Sequence, residues 1–163
     1  MVSDLAYKEP LDDYYTDDWD RRNFIYEAED VEVFTIYRKA DHKLVVMKRS
    51  KFTTEDGNPK ARTEPDWLNE ANILTLTKNH PEILNIYDAF TFDRSIFIVT
   101  ERCICDLQKL IDYKVRRNEF FTEKQIRTGL AQILQALLVM HSHKLMHRDL
   151  KPKNILVKSL HPL

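Results

Sequence analysis

His147-Arg148-Asp149-Leu150-Lys151-Pro152-Lys153-Asn154-Ile155-Leu156 is the stretch that decides the fold, and it lies near the end of a sequence of 163 residues. It places an aspartate, a lysine and an asparagine within six residues of one another, around a proline. Proline among polar residues is typical of a loop. The apolar pair at its end predicts that the loop closes onto a hydrophobic element.

The sequence before this loop predicts several β-strands. From Asn23 to Arg38, β-branched and charged residues alternate with the period of a strand. Further short apolar strands are predicted at 44–48, 83–92 and 96–100. The polar segment 51–63 contains Asp56-Gly57-Asn58-Pro59, which is typical of a loop.

Helices are predicted between and after these strands. The first begins at the capping residue Thr63 and continues to about Lys78, and a short one begins near Asp106. The capping box at Thr122 opens a long helix that ends at about His143. Strands, a helix, strands and then helices favour an α+β fold over alternating βαβ units.

Composition limits the classes of partner and compartment. The net charge of −1 provides no basic field for nucleic acid or an anionic membrane, and no apolar run is long enough to span a bilayer. With no leader sequence after Met1 and only the cysteines Cys103 and Cys105, we expect an intracellular protein with reduced thiols, in the cytoplasm or the nucleus. Residues 1–22 form an acidic N-terminal extension, which we expect to be a solvated tail or, alternatively, a docking peptide.

The 147–156 loop resembles the catalytic loop of Ser/Thr protein kinases. The resemblance extends upstream, where Val45-Val46-Met47-Lys48 is similar to the strand that carries the phosphate-binding lysine. Leu68 to Leu74 is similar to the helix that carries its partner glutamate, Glu70. The implied fold is a small β-rich lobe at 23–101 and a hinge, followed by the beginning of a helical lobe at 102–163.

The resemblance implies ATP and Mg²⁺ as cofactors and a protein Ser/Thr hydroxyl as phosphoryl acceptor. Asp149 would accept the proton of that hydroxyl, Lys151 would neutralise the transferring group, and Asn154 would hold magnesium. The resemblance also implies which residues of the small lobe and hinge contact the nucleotide. Lys48 and Glu70 would lie at the phosphates, and Val33 and Val46 at the adenine. The backbone from Glu101 to Cys103 would bind the edge of the adenine, and Thr100 would be the gatekeeper.

Three departures from the family pattern predict weak nucleotide binding. The segment Tyr26 to Glu32, where kinases carry a glycine-rich loop, has no glycine and four acidic residues, which we expect to repel a triphosphate. Val46 stands where the family prefers alanine. No Asp-Phe-Gly follows Asn154, so a carboxylate ligand of magnesium is missing from this chain.

We therefore expect the isolated chain to transfer phosphoryl groups very weakly or not at all. The alternatives are a pseudokinase module that binds protein partners and a truncated gene product without a function of its own. The long helix from Thr122 carries apolar residues over a broad face. In this chain we expect that face to be exposed and to allow self-association or partner binding.

Overall fold

A computed structural model describes residues 6–7, 15, 24–51 and 63–160 of the chain. The chain divides into two compact units, one comprising Met1–Lys78 and Asn85–Arg102, the other Asn79–Leu84 and Cys103–Leu163. Apart from residues 6–7 and 15, the predicted extension lies outside the described residues, as does the predicted loop at 56–59.

In the first unit, the described strands form one six-stranded sheet of order β1-β5-β6-β4-β3-β2. β1 pairs in parallel with β5, and the other neighbours are antiparallel. The strand bounds are Ala6–Tyr7 for β1, Phe24–Glu27 for β2, Val31–Arg38 for β3, Lys43–Ser50 for β4, Ile86–Phe92 for β5 and Ser95–Thr100 for β6. The α+β class predicted from the sequence is confirmed.

Helix α1, Glu64–Leu76, packs against this sheet. Its start follows the predicted capping signal, since the Thr63 backbone N–H donates to the Asp66 carboxylate at 2.8 Å. Pro65 stands in the first turn, where its missing N–H costs no helical hydrogen bond. The helix therefore begins where the local sequence predicts, and this start sets the position of Glu70 relative to the sheet.

The sheet buries side chains on both of its faces. On what we call the α1 face, a cluster joins the helix to the strands through Trp67, Ala71, Ile86, Ile96 and Ile98. On the opposite face, which we call the Tyr15 face, a second cluster comprises Tyr15, Phe34, Ile36, Val45, Met47, Phe90, Phe97 and Val99. Side chains alternate along each strand, so these clusters divide the strand residues between them.

The expectation of a solvated N-terminal tail is wrong at the residues that the structure describes there. Ala6 and Tyr7 pair with Phe90 and Thr91 at the edge of the sheet, and the side chain of Tyr15 is only 2% exposed. The physical reason is an uncovered apolar surface. Phe90 and Phe97 lie on the Tyr15 face, and an aromatic ring from the N-terminal region removes them from water.

The second unit is mainly helical. It contains β7 (Cys105–Asp106), α2 (Leu107–Arg116), α3 (Glu123–Ser142), a 3-10 turn at Pro152–Asn154 and β8 (Leu156–Val157). The predicted helix starts are confirmed: Asp106 Oδ1 accepts from the Lys109 N–H at 2.9 Å, and Thr122 Oγ1 accepts from the Gln125 N–H at 3.2 Å. Among the residues that the structure describes, no helix is both long and apolar enough to cross a bilayer.

Candidate functional site

Lys48 and Glu70 form an ion pair in the first unit, with 2.8 Å between Lys48 Nζ and Glu70 Oε1. Lys48 comes from β4 and Glu70 from α1, and both side chains are partly buried, at 31% and 25% exposed. Burial of Trp67 and Ala71 on either side of Glu70 in α1 fixes the helix face that meets the sheet. The pairing implied by the resemblance is therefore present, while its role toward a nucleotide stays a prediction.

The register of the sheet places the other predicted small-lobe residues in two rows on the α1 face. Lys48 lies between Val33 on β3 and Ile98 on β6. Val46 lies between Thr35 and Thr100 in the same way. Directly opposed residues share a face of the sheet, so Val33, Val46 and Thr100 lie on the face that carries the lysine.

Two carboxylates of the glycine-free segment lie on the other face. Glu32 is opposed to Arg49, and Glu27 is opposed to Glu32, which places both glutamates on the Tyr15 face. Lys51 pairs there with Glu27, and its Nζ lies 3.2 Å from Glu32 Oε1. The pleat therefore turns these two side chains away from Lys48, and both are paired with Lys51. The expected repulsion of a triphosphate stays a prediction.

The turn between β2 and β3 is tied to the neighbouring strand. The Ala28 N–H donates to the Val31 carbonyl at 2.9 Å, and the Lys51 N–H donates to the Asp30 carbonyl at 2.9 Å. The missing glycines thus leave a short, closed turn in place of a flexible loop. Sequence reasoning did not identify Lys51, although its position three residues after Lys48 put it on the face that carries the glutamates.

The end of β6 is anchored through Glu101. Its N–H donates to the Asn85 carbonyl at 2.9 Å, and its Oε1 accepts from the Asn85 N–H at 2.9 Å. Thr100, just before it, is 2% exposed. The predicted adenine contacts are backbone groups from Glu101 to Cys103, and Cys103 belongs to the second unit as a partly exposed cysteine. These contacts stay predictions.

Asp149, Lys151 and Asn154 come together in the 147–156 loop. Asp149 Oδ2 accepts from Lys151 Nζ at 2.7 Å and from Asn154 Nδ2 at 2.9 Å. Asn154 Nδ2 also donates to the Asp149 carbonyl at 2.8 Å. The asparagine therefore closes the loop across the proline turn and fixes the orientation of the carboxylate. The carboxylate itself is 60% exposed, so an incoming hydroxyl group can reach it.

Backbone pairing holds both ends of this loop. β8, directly after it, pairs with β7, and the Leu107 N–H donates to the Ile155 carbonyl at 2.8 Å. Before it, Arg148 takes a left-handed conformation with φ 62°, which non-glycine residues adopt only where surrounding contacts stabilise it. The predicted hydrophobic closure after Asn154 is thus a two-residue strand pair, and it anchors the aspartate to the start of α2.

The pKa of Asp149 is lowered by the hydrogen bond from Lys151 and then by that from Asn154. Pairing favours the charged form, so the contacts form above the ordinary aspartate pKa and are lost as the pH falls through the lowered value. In a carbon-detected NMR titration, we expect Asp149 to titrate below the ordinary aspartate pKa. In Lys151→Met its pKa should rise toward the ordinary value, whereas the nearby control Lys153→Met should leave it unchanged. An Asp149 pKa insensitive to Lys151→Met would contradict this loop geometry.

Residues of this loop would supply part of the oxygen ligands of a magnesium ion. With Nδ2 of Asn154 donating to Asp149, the amide oxygen is the atom of that side chain that can bind a cation. Mg²⁺ is commonly held by one or two protein oxygens together with water and substrate phosphates, and these residues fit that pattern. Among the described residues, no three His, Cys, Asp or Glu side chains are grouped to hold a metal by themselves.

Comparison with known proteins finds relatives that match most of this chain. Residues 29–162 match the protein kinase domain family. The sporulation protein kinase mde3 of Schizosaccharomyces pombe is 33% identical over 131 residues, which are 80% of this chain and 23% of that protein. Cell division control protein 2 homolog 3 of Trypanosoma brucei brucei is 30% identical over 142 residues, 86% of this chain and 43% of that protein. The chain thus spans less than half the length of these relatives.

Proposed function

This chain belongs to the protein kinase family, and from that premise we propose that its two groups of site residues carry family roles in ATP-dependent phosphoryl transfer to protein Ser/Thr hydroxyls. Lys48, oriented by Glu70, would bind the nucleotide phosphates. Asp149 would accept the proton of the attacking hydroxyl, and Lys151 would neutralise the transferring group. The observation that supports this best is the partly buried ion pair between Lys48 and Glu70, at 2.8 Å.

Magnesium would be held by Asn154 together with nucleotide oxygens. When bound, the ion would neutralise charge that develops on the phosphates. The residues of this chain would contribute orientation: Asn154 holds the Asp149 carboxylate through two hydrogen bonds, at 2.8 and 2.9 Å. The adenine would be contacted by Val33, Val46 and the backbone of Glu101 and Cys103.

We further propose that the 163-residue chain by itself transfers phosphoryl groups very weakly or not at all. Two features support this proposal. In the turn that replaces the glycine-rich loop, the Ala28 N–H donates to the Val31 carbonyl, so this N–H group is not free to bind phosphate. The 163 residues also contain no Asp-Phe-Gly to supply a magnesium carboxylate.

Thermal unfolding with ATP and Mg²⁺, and a phosphorylation assay with a generic protein substrate, test this proposal. We expect no melting shift and no turnover above that of an Asp149→Asn control. A ligand at 100 times its dissociation constant stabilises the folded state by about 2.7 kcal/mol. A shift of that size, abolished in Lys48→Met, would contradict weak binding, and turnover abolished in Asp149→Asn would contradict inactivity.

A second candidate function, a module that binds protein partners, is favoured by the exposed face of α3. Four apolar side chains at successive four-residue intervals are each at least half exposed: Ile126, Leu130, Leu134 and Leu138. Residues spaced in this way line one side of a helix. We propose that a protein partner, in the simplest case a second copy of the chain, packs against this stripe.

We also propose that the protein acts in the cytoplasm or nucleus.

The double variant Leu130→Gln/Leu134→Gln tests self-association. Both leucines are more than half exposed, at 55% and 59%, so we expect fold stability to change by less than about 0.5 kcal/mol. Sedimentation velocity over a concentration series should show weaker self-association than in the unmodified chain. The control Val115→Gln changes an apolar residue on α2 that is more exposed than either leucine, at 70%, and should have no such effect. Equal association of the double variant would contradict the assignment.

A further inference from the structure

Tyr15 closes the apolar cluster on the Tyr15 face from a region of the chain that precedes the first long strands. Its ring stacks on Phe90, with centroids 6.0 Å apart and planes at 17°, and Phe90 stacks in turn on Phe97 at 5.2 Å. Its backbone forms an isolated bridge with Arg38. Among the described residues, the Tyr15 ring therefore helps to cover Phe90 on this face.

The hydroxyl of Tyr15 has a specific, partly buried partner. It donates to Asp88 Oδ2 at 2.9 Å, and Asp88 lies on β5, 73 residues away. Burial and the adjacent carboxylate both raise the pKa of this phenol. The nearby Arg38 opposes that effect, but its guanidinium is paired with Asp41 at 2.8 Å and stacked over Tyr87 at 4.3 Å. The site accepts a neutral hydroxyl and disfavours negative charge on the same oxygen.

The attachment of the N-terminal region is short. Among the described residues before Phe24, it comprises the two-residue strand β1 and the contacts of Tyr15. A two-residue strand pair opens locally at small cost compared with global unfolding. Tyr15 also lies in the acidic sequence Asp12-Asp13-Tyr14-Tyr15-Thr16-Asp17-Asp18, which adds repulsion once the charge on the segment increases.

We propose that Tyr15 is a phosphorylation site whose modification releases the N-terminal region from the Tyr15 face. The modifying enzyme would be a separate tyrosine-directed kinase using ATP. The Tyr15 oxygen forms a bond to the γ-phosphorus, the bond from that phosphorus to the bridging oxygen breaks, ADP leaves, and the phenol proton passes to a base of that kinase. This assignment is independent of the function proposed above for Lys48 and Asp149.

The product cannot resume the buried position. Phosphotyrosine carries a charge of about −1.5 to −2 at neutral pH. In the closed arrangement that charge would stand against Asp88 in an apolar cluster, where repulsion and lost hydration act together. Because the unmodified ring is 2% exposed, modification proceeds from the open state, and the phosphate then keeps the segment open. Release uncovers Phe90 and Phe97 as a surface for other contacts.

The test uses the full chain, a broad-specificity tyrosine kinase domain and ATP. Tandem mass spectrometry locates the phosphate, and amide hydrogen exchange follows Ala6, Tyr7 and β5. We expect phosphate on Tyr15 and about tenfold or faster exchange at Ala6 and Tyr7. Tyr14→Phe should respond like the unmodified chain. Tyr15→Phe keeps the ring but should show no such acceleration, and Asp88→Asn should show a smaller one.

Two outcomes would overturn the proposal. In one, the phosphate is found on Tyr15 and exchange at Ala6 and Tyr7 is unchanged. In the other, a synthetic peptide of residues 8–22 is phosphorylated at Tyr15 while the folded chain stays unmodified after prolonged incubation. Neither outcome bears on Lys48, Glu70 or the 147–156 loop, so failure here is distinguishable from failure of the proposed kinase roles.

Discussion

Trp67→Ala should lower the free energy of unfolding of the first unit by about 3–5 kcal/mol, as large-to-small changes at buried aromatic residues do. Trp67 is fully buried and joins α1 to Ile86, Ile96 and Ile98 of the sheet. Removing the indole leaves a cavity between helix and sheet that neither element can fill without moving. Because α1 also carries Glu70, we expect the ion pair to Lys48 to weaken at the same time.

Urea unfolding followed by far-UV circular dichroism measures this loss. Leu76→Ala is the matched control, since Leu76 ends the same helix but is 55% exposed, and it should cost well under about 1 kcal/mol. NMR observation of the Lys48 ammonium would report the ion pair directly. A Trp67→Ala cost as small as that of the control would refute the packing of α1 described above.

Phe90→Ala should be comparably damaging, at about 3–5 kcal/mol, but for the opposite face of the sheet. Phe90 is fully buried and stacks on both Tyr15 and Phe97. Its loss removes the ring on which Tyr15 stacks. Tyr15 would then keep its hydrogen bond to Asp88, at 2.9 Å, but would lose the packing on one side of its ring.

A double-mutant cycle with Tyr15→Ala separates the two contributions. We expect Tyr15→Ala to cost less in the Phe90→Ala background than in the unmodified chain, with a coupling of about 0.5–1.5 kcal/mol. Phe120→Ala is the control, because Phe120 is 81% exposed. Strict additivity of the Tyr15 and Phe90 changes would show that the two rings do not interact in solution.

Local signals in the sequence predicted the secondary structure well. Thr63, Asp106 and Thr122 each cap a helix where predicted, since a cap depends on residues three positions apart. The strand of alternating residues after Asn23 is interrupted at 28–30 by a turn. The Lys51 N–H, just after β4, donates to the Asp30 carbonyl of this turn, a contact between distant residues that periodicity does not encode.

The candidate site was predictable as a set of residues but not as an arrangement. The motif spacing indicated Asp149, Lys151 and Asn154, and the geometry adds that the asparagine and lysine both donate to one carboxylate oxygen. The sequence likewise counted four acidic residues near the phosphate position. Only the register of β2, β3 and β4 showed that Glu27 and Glu32 face away from Lys48.

The sequence by itself determined the family, the α+β class, the helix starts and the choice of candidate site residues, because these depend on short-range spacing and on motifs within a few residues. Tertiary structure alone decided which face of the sheet each charge occupies, that Tyr15 is buried against Phe90 and Asp88, and that the Ile126 to Leu138 stripe of α3 is exposed. Contacts of this kind join residues far apart in the chain. They form where apolar surface must be removed from water, and that requirement exists only once the sheet and helices have been assembled.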